Sequence, residues 1–173
     1  MNLTSLVHGL TGGGLGGTIT ALRKSEDDLA LALLHLSDRH PADHEIHFIA
    51  RDLAGWSQEH VRRLAEAGHA HGLHLDPEPT DPTSLPSVLR RAAGDALGRL
   101  HAPSTLLLAD LRALHRAAAG LSLDWEVLAQ SAQAAEDSDL TALAADCHPQ
   151  TLRQLRWANA QVKELAAQAV LGT

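Results

Sequence analysis

Along residues 41–68, apolar side chains recur at steps of three, four and seven: Ile46, Ile49, Leu53, Trp56, Leu64 and Ala67. That spacing puts them on one stripe of an α-helix, and only His60 breaks the stripe with a polar group. A second helix is expected ahead of it, from about residue 25 to 39. Ser25-Glu26-Asp27-Asp28 reads as its cap and acidic first turn, and Leu29, Leu31, Leu33, Leu34 and Leu36 make it apolar almost all round. His40-Pro41 ends it, because a residue before proline is pushed out of the α region. Asp43 is then placed to cap the helix that follows, and so short a connection makes the two antiparallel neighbours.

The second half has the same grammar. Leu107, Leu111, Leu114, Ala118, Leu121, Trp125, Leu128, Ala132 and Ala135 alternate steps of four and three, the pattern of a bundle seam over about 104–138. Gly120 inside that helix suggests close packing. A new start at Ser138-Asp139 opens a last element reaching about residue 170, where Pro149 predicts a kink or a division in two. Between the halves lies a long loop with prolines at 77, 79, 82 and 86. A modest amphipathic helix over 87–100 (Val88, Leu89, Ala92, Ala96, Leu100) follows it in the crossover.

Sliding the chain by 94 positions, from 43 to 137, pairs the halves without a gap. Leu34 meets Leu128, Asp43 meets Asp137, Ala50 meets Ala144, Asp52 meets Asp146 and Arg62 meets Arg156. Two similar hairpins joined by a long crossover describe an all-α, ferritin-like four-helix up-down bundle with an extra short helix. The expected domains are a flexible Gly-rich arm over 1–22 and a single bundle over 23–173. The TGGGLGG run in the arm lacks the GK[ST] ending of a phosphate loop, so a nucleotide site is not expected there.

Composition supports helix over sheet: Leu and Ala must build the core of a chain with one Phe, three Trp and no Tyr. A net charge of -7 without a basic cluster argues against nucleic acid, and no apolar run approaches the roughly 20 residues of a membrane span. The single Cys147 excludes an internal disulfide and suits a reducing cytoplasm. The 12 histidines are numerous for 173 residues; they read mainly as surface polarity that would charge near pH 6.5.

Two segments carry a family resemblance. EDSDLTALAADCHPQTLRQLRWANAQVKEL is similar to the last helix, and HFIARDLAGWSQEHVRRLAEAG resembles the second helix, of a ferritin-like bacterial family of unknown function. The resemblance spans roughly residues 27–170 and implies the bundle fold. The Asp-His pair of that family falls on Trp56-Ser57 here, so its role does not carry over.

The Glu-x-x-His motif of di-iron bundles is absent, which argues against a ferritin-type oxidation centre. His44 and His47 share a face that points away from the apolar stripe, toward solvent or a partner chain, and His69, His71 and His74 form a second exposed cluster. The inward candidates are His60 on the stripe, Glu45 at its edge and Asp110 on the third helix, flanked by His115 and Glu126. Glu45, His60 and Asp110 would be the ligands of a metal site, with Fe, Mn or Zn; the plainer reading is a polar pair that fixes helix register. Cys147 and His148 are adjacent and diverge on a helix, so no cysteine nucleophile is expected, and Cys147 reads as a core thiol. Two functional expectations follow. One is a non-catalytic binding or structural module that self-associates and needs no cofactor; the other is a divergent metal-dependent oxidoreductase.

Overall fold

The computed structural model describes residues 14–84 and 103–171, with the side chains of 14–84 and 105–168. The expected helix over 87–100 and the first 13 residues of the expected arm lie outside the described residues. Four helices account for the rest: α1 Leu15–Arg39, α2 His44–Ala70, α3 Pro103–Ala134 and α4 Ser138–Leu171. No strand occurs among the described residues.

α1 begins about ten residues earlier than the local signals suggest. Gly14 is its N-cap, and the Gly14 carbonyl accepts from the amides of Gly17 and Thr18. Ser25-Glu26-Asp27-Asp28 therefore sits in mid-helix, and Glu26 and Asp27 are buried rather than capping. The reason is long-range: both carboxylates find partners from other parts of the chain. The inward stripe of α1 is Ile19, Leu22, Glu26, Leu29, Leu33 and Leu36, a four-and-three pattern with one acid set into it.

The hairpin turns follow from caps. Asp43 accepts the Ile46 amide at 3.1 Å, and Asp137, its counterpart in the second half, accepts the Leu140 amide at 2.9 Å. α2 ends in a pair of closing bonds, Leu73 N–H to the Gly68 carbonyl and Gly72 N–H to the His69 carbonyl, with Gly72 at φ +71°. α3 ends in the same motif, but the residue in the left-handed region is Glu136, at φ +55°. Pro149 does not divide the last element, which is one helix through Leu171. Gly120 is exposed and has nothing among the described residues within 4 Å of where a Cβ would sit, so it does not serve close packing against them.

Side-chain bonds between helices fix the directions. Glu26 and Arg39 of α1 meet Trp125 and Asp110 of α3, so those helices are antiparallel. Glu45 and Arg63 of α2 meet Gln161 and Asp146 of α4, which makes that pair antiparallel too. With two antiparallel hairpins, α1/α2 and α3/α4, the sequence of directions is up, down, down, up. A crossover must therefore link the parallel α2 and α3. Its first part lies along α1: Arg23 donates to the carbonyls of Asp76 and Glu78 at 3.0 and 3.1 Å, and the Thr80 amide donates to Asp27 at 2.8 Å. Leu73 and Leu75 close it over the core, with Leu75 so near Gly68 that a Cβ there would meet it at 3.1 Å.

Trp125, wholly buried, is the largest side chain of the continuous core contributed by all four helices. None of the described helices is long and apolar enough to cross a membrane.

Candidate functional site

The polar centre of the bundle is built from Glu26 of α1, His60 of α2, Trp125 of α3 and Thr151 of α4. Glu26 is 0% exposed and His60 1%. Three donors converge on one carboxylate oxygen, Glu26 Oε1: His60 Nδ1 at 2.8 Å, Trp125 Nε1 at 2.7 Å and Thr151 Oγ1 at 3.3 Å. The other oxygen, Oε2, is buried with no hydrogen-bond partner. The second ring nitrogen of His60 faces the side-chain oxygen of Gln150 at 3.1 Å, and its ring meets Trp125 edge-on at 5.6 Å.

Both ring nitrogens of His60 thus face oxygens, and an imidazole donates to both when it carries two protons. The electrostatics agree. Burial works against the charge, but the Cys147 sulfur, together with the hydrogen bond and charge of Glu26, outweighs it and pushes the His60 pKa up to about 10. His60 and Glu26 form a buried ion pair. Taking two such charges out of water costs several kcal/mol each, so the pair persists only because the hydrogen bonds around it are made.

One layer along, Gln154 donates to the Leu53 carbonyl at 2.9 Å and to Ser57 Oγ at 3.0 Å. In the register that relates the halves, His60 corresponds to Gln154 and Ser57 to Thr151. All four are buried, so the polar centre repeats at equivalent positions of α2 and α4. Cys147 is a sealed thiol, with Arg63 Nη1 3.4 Å from its sulfur and the same guanidinium held to Asp146 at 2.9 Å. His148 instead reaches Ser122 Oγ at 2.8 Å, and no Cys–His pair forms.

No family model, no curated protein and no solved structure matches this chain. Its chemistry has to be read from the residues themselves.

The expected metal ligands do not come together. Glu45 is exposed and accepts from Gln161 at 2.8 Å. It shares α2 with His60 but stands 15 residues away, about 22 Å along the axis at 1.5 Å per residue. Asp110 is half-buried near the far end of α1, held by Arg39 at 2.8 Å and by His40 at 2.9 Å. The 13 residues of α1 between Glu26 and Arg39 put that cluster about 20 Å from the polar centre. His60 is inward as its position predicts, and Asp110 faces α1, where Arg39 partners it, whereas Glu45 is exposed. Among the described residues no group of three or more His, Cys, Asp or Glu side chains could hold a metal ion.

The outer histidines divide. His44 is exposed, but His47 is half-buried and packs on α1, its Nδ1 3.1 Å from Ser37 Oγ and 3.0 Å from the Ser37 carbonyl. His69 and His74 are exposed, whereas His71 pairs with Asp137 at 3.1 Å. Sequence reasoning missed Glu26. The signal was present: Glu26 occupies a stripe position between Leu22 and Leu29, where an apolar residue would be expected.

Proposed function

We propose that this chain is a non-catalytic, ferritin-like helical bundle, a binding or structural module that self-associates. The observation that carries the reading is the engagement of the buried polar groups with one another across all four helices. Glu26, His60, Trp125 and Thr151 hold the helices in register, which is the best-attested use of buried polar contacts. The up-down-down-up order with a single crossover supports the ferritin-like assignment and the resemblance to the bacterial family of unknown function. Leu123 and Val127, one turn apart on the outward face of α3 and 61% and 48% exposed, support contact with a second copy. A cytoplasmic setting belongs to the same reading, supported by the single unpaired thiol of Cys147.

The metal-dependent alternative has less support. An imidazolium that donates from both nitrogens offers no lone pair to Fe, Mn or Zn, and Glu45 and Asp110 are engaged elsewhere. Light scattering coupled to size exclusion tests the proposal. The expected mass is a multiple of 18.4 kDa, falling to 18.4 kDa in a Leu123→Lys/Val127→Lys variant. A wild-type profile that stays at 18.4 kDa at high concentration would remove the self-association half.

A further inference from the structure

The register that relates the halves gives the α2/α4 seam two equivalent ends, and they are built differently. Where α2 starts and α4 ends, Trp157 and Leu165 pack against the core and Gln161 bonds Glu45. At the other end the positions equivalent to Trp157, Gln161 and Leu165 carry Arg63, Ala67 and His71. The lost bulk leaves a cleft of about 440 Å³ with Ala67, Leu140 and Leu143 among its lining. That is within the size range of small-molecule sites, roughly 300–1,000 Å³.

Its charges are already partly matched. Arg63 is paired with Asp146 at 2.9 Å, and His71 with Asp137 at 3.1 Å. An anionic ligand would have to displace one of those carboxylates. Glu66 of α2 and Asp139 of α4 also line the cleft, and neither has a cationic partner among the described residues. We propose that this cleft binds a small organic ammonium, its apolar body on the alanine and leucine floor and its charged head toward Glu66 and Asp139. This deepens the binding-module reading and rests on it.

The test is a titration of the full-length protein with hexylammonium, followed by amide NMR, with hexanol and hexanoate as controls. Saturable shifts are expected at Ala67, Ala70, Leu140 and Leu143, with hexanol roughly tenfold weaker and hexanoate without effect. Glu66→Gln/Asp139→Asn should weaken hexylammonium roughly tenfold. Ala142→Phe, which adds an aromatic ring to the cleft lining, should abolish binding at an unchanged melting temperature. The proposal is overturned if hexylammonium gives no saturable shifts, if hexanoate binds as well, or if Ala142→Phe binds like the wild type. A monomer in light scattering would remove self-association and leave this titration readable, so the two failures are distinct.

Discussion

Replacing Glu26 by Gln keeps the shape of the side chain and removes the carboxylate charge that, beside Cys147, favours a second proton on His60. In the wild type the folded pKa of His60 is about 10 against an ordinary 6.5. At about 1.4 kcal/mol per pH unit, that difference caps the linked stability at about 5 kcal/mol. The sign follows from the direction of the shift. A base whose pKa is raised on folding contributes its full stability below pH 6.5 and loses it as pH climbs toward 10. In Glu26→Gln the hydrogen bond and the charge of Glu26 are lost, burial is opposed by Cys147 alone, and the folded pKa of His60 falls from its wild-type value.

The variant should therefore be less stable by about 3–5 kcal/mol near pH 6.5, the cost of breaking a buried pair. The gap should close or reverse toward pH 9.5, where the wild type begins to hold a lone buried carboxylate. Urea titrations from pH 6.5 to 9.5, read by tryptophan fluorescence, measure this directly. The other 11 of the 12 histidines are common to both proteins, so the quantity read is the difference between their pH dependences; the chain has no Tyr, and its lysines, Lys24 and Lys163, are exposed. Parallel pH dependences for the two proteins would refute the ion-pair account.

Other consequences are local. Glu136→Gly should raise stability by roughly 0.5–1 kcal/mol, since a left-handed non-glycine residue costs about 1–2 kcal/mol and glycine's greater unfolded freedom takes back part of the gain. Gly120→Ala, in mid-helix with open space at its Cβ, should gain about 0.5–1 kcal/mol in the same denaturant assay. Asp43→Ala and Asp137→Ala should each cost about 1 kcal/mol through the lost cap, and Asp137→Ala slightly more because His71 loses its partner.

The architecture was largely legible in the chain because bundle helices announce themselves by period. The stripes of α2 and α3, the His40-Pro41 stop, the Asp43 cap and the core position of Cys147 all depend on local spacing or on the repeat, and each is found where expected. The start of α1 was not legible. Gly14, Gly16 and Gly17 have poor helix propensity, and Ser25 followed by three acids imitates a cap. What overrides those signals is tertiary: Trp125 lies 99 positions from Glu26 and Thr80 lies 53 from Asp27, and no local rule sees either contact. The metal triad failed for a reason the sequence did hold, because Glu45 and His60 are too far apart on one helix to share an ion. The division at Pro149 does not occur because a proline on an exposed helix face loses one backbone bond without having to end a helix held by its neighbours.

His60 is a locked imidazolium that holds the bundle together rather than a ligand. The most direct measurement is the ¹⁵N spectrum of its ring nitrogens between pH 6 and 9, with and without added Zn²⁺. The account predicts two protonated nitrogens across that range, unchanged by the metal. A neutral tautomer at pH 7, or a nitrogen that gives up its proton to zinc, would contradict it.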